Sequence, residues 1–480
     1  MAHNKFLPRV LAAAAAMMLL AGCGSKADPG FSPANPVNIT IWTYYNGEQL
    51  EAFNALVDEF NSTVGKEQGI TVESSSHGSV TDLENNVLAS AEGKVGAEAM
   101  PNIFSAYADT AYALDEMGQI ADLSDYLSEE DRAAFIEDYL SEGDFSGSGS
   151  IKIFPVAKSA ELLFLNETDW EPFAATGATY DDLATIEGLV SVAERYYEWT
   201  DAQTPDIPND GRAFFGRDAM ANYMLIGAKQ LDCTIFDAQD GSMTLNFDHD
   251  AVRTLWDNYY VPFIKGYFSA SGRFRSDDVK TGNIIAYVGS SSSATFFPTQ
   301  VIADDMDSHD ITRKALESPK FANGEDYAVQ QGAGMVVTKA SDAEIQASLV
   351  FLKWFTSPEH NITFSVDSGY LPVTHEGNSI DAIRISGLAL SDEMDEVLSA
   401  AVDTVNENHL YTPRAFSGGT NARAILEYSM SDKASADRAA VKEAMAQGQS
   451  FEDASAQFLS DECFEAWYQD TLASLEAFQG

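Results

Sequence analysis

The chain has 480 residues, of which 45% are hydrophobic and 11% aromatic, so it is long enough to bury one large core or two smaller ones. Its formal net charge is −46 at pH 7. Such an acidic balance argues against nucleic acid and anionic lipid headgroups as partners, and it disfavours polyanionic ligands.

The first 22 residues have the pattern of a bacterial lipoprotein signal peptide. Lys5 and Arg9 supply a positive n-region, and residues 10–20 form an apolar run too short to remain as a membrane span. The Leu-Ala-Gly-Cys sequence that ends at Cys23 matches a lipobox, which predicts cleavage before Cys23 and acylation of its thiol, for example with palmitate. Because two or more acyl chains anchor a protein stably, the expected location is the extracytoplasmic face of the cell membrane.

Residues 23–36 are rich in Gly, Ser and Pro, which predicts a flexible tether, with folded structure expected from Val37. Apart from Cys23, the chain has Cys233 and Cys463, and neither has a His or Cys neighbour at zinc-ligand spacing. No metal is therefore expected. In an oxidising compartment these two cysteines either form one disulfide or remain two buried thiols, and the sequence leaves both interpretations open.

Strands and helices alternate after Val37. The pattern predicts strands at 37–44, 70–73 and 100–107 and helices at 81–91 and 110–117. A further helix follows the first strand, with its apolar face formed by Leu50, Phe53, Leu56, Val57 and Phe60. This alternation is typical of a parallel sheet covered on both faces, which binds ligands at the carboxyl ends of its strands.

The stretch 331–373 contains one further α/β unit. A short strand at 335–337 precedes Ser341 and Glu344, which have the spacing of a capping box at a helix start, and Pro358 ends that helix. Residues 369–373 then read Gly-Tyr-Leu-Pro-Val. In the order of its elements and in its residues, the stretch resembles the family 1 extracellular solute-binding proteins, the group that contains the maltose-binding proteins.

The resemblance implies an α/β, two-lobed, periplasmic-binding-protein-like fold with a central cleft and a hinge. It places residues 37–156 and 333–388 in lobe 1, and residues 157–332 and 389–480 in lobe 2. It also implies the substrate-binding lipoprotein of an ABC importer, a monomer without a cofactor that captures a carbohydrate by hinge closure and delivers it to permease subunits. A receptor for a glycerol-phosphate-type or other small polar solute is the alternative in the same class.

Carbohydrate binders stack aromatic rings on sugar faces and direct carboxylates, amides and guanidinium groups at the hydroxyls. In lobe 1 the candidates at strand ends are Tyr44, Tyr45, Glu48, Tyr107 and Asp109. Asp109 stands where the maltose-binding relatives carry a sugar-bonding acid. For the two tyrosines that end the first strand, packing at the sheet edge is an equally good interpretation.

Ser159 stands at the crossing between the lobes, where those relatives carry a second acid, and this departure argues against a maltose-type ligand. In lobe 2, Arg217 and Asp218 precede the helix that lines the cleft in the family, although they also suit a surface ion pair. Ser291 and Ser292 replace a stacking tryptophan, which suggests hydrogen bonding or a flexible hinge. The remaining candidate, Tyr370, lies beside the Leu-Pro turn.

Enzyme signatures are absent from the sequence. It contains no H-E-x-x-H, no phosphate-binding G-x-x-x-x-G-K-[ST] loop and no G-x-S-x-G nucleophile elbow. With 74 acidic residues, pairs of carboxylates arise by chance and do not indicate a glycosidase. A surface glycoside hydrolase and a structural or adhesive lipoprotein remain the alternatives from other classes.

Overall fold

A computed structural model describes residues 30–239, 241–302 and 308–479. The signal peptide and the acylation predicted at Cys23 lie outside the described residues. Within the described ranges, no helix combines the length and the apolar character needed to cross a membrane.

Strands and helices alternate through most of this structure. The strands are β1 (Val37–Thr43), β2 (Ile70–Ser76), β3 (Ile103–Ala106), β4 (Glu161–Asn166), β5 (Phe215–Arg217), β6 (Phe236–Gln239), β7 (Ser242–Leu245), β8 (Ala286–Ser290), β9 (Gln300–Val301), β10 (His309–Asp310), β11 (Arg313–Glu317), β12 (Tyr327–Val329), β13 (Gly334–Val337) and β14 (His409–Tyr411). The helices are α1 (Gly47–Ser62), α2 (Val64–Gln68), α3 (Val80–Ala91), α4 (Ala108–Glu116), α5 (Glu129–Ala134), α6 (Glu137–Ser141), α7 (Glu167–Ala174), α8 (Ile186–Asp201), α9 (Met220–Gln230), α10 (His249–Lys265), α11 (Arg275–Lys280), α12 (Asp342–Phe355), α13 (Pro358–Ser368), α14 (Ile380–Ile385), α15 (Asp392–Glu407), α16 (Gly419–Ala446), α17 (Phe451–Ser455) and α18 (Asp461–Glu476). Short 3₁₀ turns occur at Ser124–Tyr126, Tyr180–Leu183 and Ser291–Phe296.

The sheet of the first lobe has the strand order β13-β3-β1-β2. β1 runs parallel to β2 and to β3, with Val37 opposite Ile70 and Ile41 opposite Ile103, as the alternation predicted. The fully parallel sheet predicted from that alternation is wrong at one edge, where β13 is antiparallel to β3. The chain reaches this edge when it returns from the second lobe, so β13 enters from the opposite end.

The sheet of the second lobe has the order β11-β4-β8-β5. β4 pairs antiparallel with both β8 and β11, whereas β5 pairs parallel with β8. β6 pairs antiparallel with β7, and Gly241 lies in the turn between them. A separate parallel pair, β12 with β14, lies against α9.

Aromatic packing organises the core of the first lobe. Phe53 and Phe60 project from α1 onto α12, where the ring centroids of Phe53 and Phe355 are 5.5 Å apart and those of Phe60 and Phe351 are 5.2 Å apart. These rings meet because α1 places Phe53 and Phe60 two helical turns apart on one face. The capping box predicted at the start of α12 is also present, since Ser341 N–H donates to Glu344 Oε2 at 3.0 Å.

Two crossing segments join the lobes side by side. Phe154 pairs with Met335 and Ser159 pairs with Gln331 in isolated antiparallel bridges. Lys158, between them, is completely buried and forms an ion pair with Glu142. Its ammonium also donates to the carbonyl of Gly332 at 2.8 Å, so the outgoing and returning segments are tied together.

The structure also shows where the folded domain begins and whether Cys233 and Cys463 are joined. Phe31 is buried in the first-lobe core, so the chain packs on the domain before Val37 and the predicted tether is shorter at that end. Cys233 and Cys463 are free thiols, and Cys233 Sγ donates to the carbonyl of Asn246 at 3.3 Å. Cys233 and Cys463 are therefore two separate thiols and do not form a disulfide.

Candidate functional site

The site lies in a cleft of about 510 Å³ between the two lobes. The first lobe contributes α3, the start of α4 and the segment after α6. The second lobe contributes α9, the segment from β14 to α16 and the crossing that follows β12. The polar and aromatic residues that line the cleft are Glu84, Tyr107, Asp109, Glu142, Asn222, Phe236, Gln330, Gln331, Tyr411, Thr412, Arg414, Phe416, Thr420, Arg423 and Glu427.

The first-lobe wall of the cleft is acidic. Tyr107 and Asp109 immediately follow β3, because α4 begins at Ala108 and directs its first turn beyond the carboxyl end of the sheet. Glu84 lies on α3 and accepts a hydrogen bond from Thr110 Oγ1 at 2.9 Å. Glu142 completes this wall, and its partner is the buried Lys158 of the crossing.

The second-lobe wall supplies the basic and amide groups, together with one carboxylate, Glu427, whose Oε2 accepts from Ala221 N at 2.7 Å. The Arg423 guanidinium on α16 donates to Asn222 Oδ1 on α9. The other end of that amide donates to Glu161 Oε1 at 2.7 Å, and Glu161 Oε2 pairs with Arg217. This relay fixes the position of Arg423 at the cleft through groups that are buried behind it.

The crossing after β12 brings two amide side chains to the cleft, the buried Gln330 and the half-buried Gln331. Gln330 is only 7% exposed. Its Nε2, together with Gln331 Oε1, has no hydrogen-bond partner within the described part of the chain. Because a buried polar group without a partner costs free energy, an arrangement of this kind is expected where a ligand supplies the missing bonds.

Burial determines the electrostatics of the acidic wall. It raises the pKa of Asp109 to about 6, and the nearby carboxylates of Glu84 and Glu142 act in the same direction, while the Arg423 guanidinium opposes them. Burial likewise raises the pKa of Glu84, although the bond from Thr110 limits the shift. Raised carboxyl pKa values in a cleft are typical of functional sites, where acids are held away from bulk water.

Of the residues predicted from the sequence, Tyr107 and Asp109 line this cleft. Tyr44 and Tyr370 lie together at one end of the first-lobe sheet, where their hydroxyl oxygens are 3.3 Å apart. Tyr45 is buried in the first-lobe core, with its ring 6.1 Å from that of Tyr370. Tyr45 therefore packs in the core and does not line the cleft.

The serine run lies at a contact between the lobes. Ser291 Oγ donates to the carbonyl of Gly369 at 2.9 Å, and Gln49 Nε2 donates to the carbonyl of Ser292 at 3.4 Å. Ser159 is buried in the crossing, where its backbone N–H donates to Gln331 O at 3.0 Å. These positions favour the hypothesis that Ser291 and Ser292 belong to the hinge.

The remaining predicted residues lie elsewhere. Glu48 is exposed in the first turn of α1. Arg217 faces a separate cavity of about 340 Å³ inside the second lobe, and its partner is Glu161 rather than the neighbouring Asp218. Asp218 accepts a hydrogen bond from the backbone of Arg275 at 3.2 Å. The surface pair expected between Arg217 and Asp218 is therefore not formed.

Sequence reasoning missed the second-lobe wall. Arg423, Glu427 and Tyr411 belong to the C-terminal segment, where helical character predicts packing and gives no sign of the cleft. One usable signal was the break at 417–420, because glycines before a long helix mark a helix start that another segment approaches closely. A second signal was the Gln330-Gln331 pair, two amides between a strand and a glycine at a crossing.

The fold and the cleft define a two-lobed solute-binding protein. The model of a family described as bacterial extracellular solute-binding protein matches residues 55–383, and the chain belongs to this family. A search of curated protein sequences gives no match.

Solved structures share the fold over nearly the whole chain. The cyclic α-maltosyl-1,6-maltose binding protein of Arthrobacter globiformis is 17% identical, with a TM-score of 0.65, over 92% of this chain and 100% of that chain. UgpB of Mycobacterium tuberculosis, solved with glycerophosphocholine, is 16% identical, with a TM-score of 0.64, over 92% and 98%. The GacH receptor of Streptomyces glaucescens, solved unliganded and with acarbose, is 14% identical, with a TM-score of 0.62, over 90% and 98%.

Asp109 should make a pH-dependent contribution to stability. Its pKa is raised in the folded state, so the folded state binds this proton more tightly than the unfolded state, and ionised Asp109 destabilises the fold above pH 6. Asp109→Asn is expected to raise the free energy of unfolding by about 2 kcal/mol at pH 7.5. The gain should shrink as the pH falls from about 6 towards 4.

The measurement is urea unfolding at pH 7.5 and pH 4.5. Asp58→Asn, at an exposed position on α1, is the matched control and should show no such difference. A destabilising effect of Asp109→Asn at pH 7.5 would contradict the conclusion that desolvation disfavours the ionised form of Asp109.

Proposed function

We propose that this protein is the substrate-binding receptor of an ABC importer and that it binds a neutral carbohydrate between its lobes. The observation that carries the proposal is the make-up of the cleft, where carboxylates of one lobe face guanidinium and amide groups of the other. Sugar hydroxyls donate to carboxylates and accept from guanidinium and amide N–H groups, so one neutral ligand satisfies both walls. Tyr107 and Tyr411 add rings for the apolar sugar faces.

The unpartnered amides support the same ligand chemistry. Gln330 Nε2 is a donor and Gln331 Oε1 is an acceptor, and a hydroxyl group pairs with either. A ligand that satisfies them gains specificity, because an analogue without the hydroxyl would leave the amides buried and unpaired. The Arthrobacter protein is named for a cyclic maltosyl-maltose and GacH was solved with acarbose, and both are carbohydrate-type ligands.

A glycerol-phosphate-type ligand is the second candidate. The likeness to UgpB and the presence of Arg414 and Arg423 in the cleft favour it. Glu84 and Asp109 disfavour it, because a phosphate placed beside these two carboxylates is repelled and loses its hydration. The neutral saccharide is therefore the stronger candidate.

The proposed mechanism is hinge closure without chemistry. We assign residues 37–156 and 333–388 to lobe 1 and residues 157–332 and 389–480 to lobe 2, with the hinge at the crossings beside Lys158. Binding to both walls stabilises the closed form, since only that form makes all the contacts. The closed receptor then docks on permease subunits and releases the ligand.

The lipid anchor is proposed from the lipobox. In cells, Cys23→Ser is expected to abolish incorporation of labelled palmitate and to move the protein from the membrane fraction to the soluble fraction. Cys463→Ser, which removes a thiol far from the signal, is the control and should leave both properties unchanged. Labelled palmitate on the Cys23→Ser variant would place the anchor elsewhere.

A thermal-shift screen of the chain from Gly24 onward tests the ligand class. The library contains mono- and oligosaccharides, polyols, glycerol phosphates, peptides and amino acids. A ligand at a hundredfold excess over its Kd stabilises the folded state by about 2.7 kcal/mol, which shifts the melting temperature by several degrees. Stabilisation by a saccharide that is recovered unchanged is the expected result. Stabilisation by glycerol phosphates alone, or consumption of the saccharide, would contradict the proposal.

Two glutamines give a matched comparison in the same screen. Gln330 and Gln230 are each 7% exposed, but Gln230 Nε2 donates to Tyr327 O at 2.9 Å and its Oε1 accepts from Phe321 N at 3.1 Å. Gln330→Met should therefore weaken saccharide binding roughly tenfold without loss of stability, whereas Gln230→Met should lower stability by about 1 to 3 kcal/mol. Calorimetric Kd values and ligand-free melting temperatures separate the two effects.

A further inference from the structure

One face of α4 fits into the opposite lobe at two glycines. Asp109 and Tyr112 are three residues apart, so they lie on the same face of this first-lobe helix. A Cβ placed on Gly419 of the second lobe would stand 3.0 Å from Asp109 Cγ, and the carboxylate oxygen Oδ1 is closer still. A Cβ placed on Gly241 would stand 3.2 Å from Tyr112 Cζ, with the hydroxyl closer still. A larger residue at either glycine would meet the end of the Asp109 or Tyr112 side chain, which would have to move away from the second lobe.

The two glycines belong to one surface of the second lobe. Gly241 lies in the β6–β7 turn and Gly419 is the first residue of α16. The backbone N–H of Ser417, just before α16, donates to Gly241 O at 3.2 Å and joins the turn to the helix start. We call Gly241 and Gly419 the glycine cradle.

Asp109 also brings charge to this contact. α16 spans 28 residues, and Gly418 at its N-cap offers no side chain to cap it. The first N–H groups of a helix lack intrahelical partners and carry a partial positive charge. The Asp109 carboxylate supplies the matching negative charge from the other lobe, so the attraction exists only while the lobes are together.

We propose that the glycine cradle and the Asp109–Tyr112 face of α4 form the closure contact of this receptor. It is a surface at which the lobes meet directly, in addition to the contacts each makes with the ligand. The inference rests on the proposed function, because it assumes that the lobes open and close. It assigns to Gly419 the role of a positioning residue, which sets how closely the acidic wall approaches Arg423.

A disulfide trap tests the contact in the full mature chain. Asp109→Cys combined with Gly419→Cys puts a sulfur near the present position of Cγ, and a Cβ about 3 Å from it suits a disulfide. Mild oxidation in a Cys463→Ser background is expected to link the two introduced thiols, which mass spectrometry of the linked peptides detects. The control pair is Asp109→Cys with Asn421→Cys, because Asn421 is exposed two residues along the same helix turn.

Efficient linkage of the first pair and little of the control supports the closure contact. Equal linkage of both pairs, or none of the first, overturns it. Gly419→Ala gives an independent readout: it should weaken binding of the saccharide found in the screen at least tenfold without lowering the melting temperature. Unchanged saccharide binding in Gly419→Ala counts against the contact.

The two proposals fail in different ways. The disulfide trap uses no ligand, so its failure leaves the carbohydrate proposal intact. If no saccharide in the screen stabilises the protein, the carbohydrate proposal is wrong. Disulfide formation between the first pair would still support the closure contact.

Discussion

The buried Lys158 ammonium is the interaction on which the arrangement of the two lobes depends. It pairs with Glu142 and donates to the carbonyl of Gly332, so it contacts the first lobe and both crossing segments at once. A buried charge is stable only when its partners stay in place, since loss of one partner leaves an uncompensated ion. Gly332 makes this approach possible, because its φ is 91° and a Cβ placed on it would stand 2.8 Å from Ala157 O, which leaves no room for a side chain.

The two walls of the cleft differ in character, and each is held by its own buried network. On the acidic wall, Glu142 is held in place by its ion pair with Lys158. On the other wall, hydrogen bonds that run from Arg217 through Glu161 and Asn222 hold Arg423. The first wall is rich in carboxylate acceptors, and the second adds guanidinium and amide donors. A neutral polar ligand with hydroxyl groups can bond to both walls, which fits the proposed capture of a solute.

The fold was largely predictable from the sequence, because its signals are local. The period of the apolar residues in α1, the capping box at Ser341 and the glycine turn between β6 and β7 each depend on a few neighbouring residues. The antiparallel edge strand β13 was not predictable in this way, since its direction follows from where the chain returns.

The site was predictable only in part. Tyr107 and Asp109 follow a strand end, so the rule for α/β sheets located them. Arg423, Gln330 and Tyr411 reach the cleft through tertiary packing of segments that have no such rule. Arg217 was found at a strand end but faces another cavity, because Glu161 draws its guanidinium into the lobe.

The central claim is that the lobes shut on a neutral saccharide. Small-angle X-ray scattering of the mature chain, with and without the saccharide that stabilises it, tests this claim most directly. We expect the radius of gyration to fall when the saccharide binds and to stay unchanged with a non-binding epimer. A saccharide that binds tightly while the radius of gyration stays the same would contradict closure as the mechanism of capture.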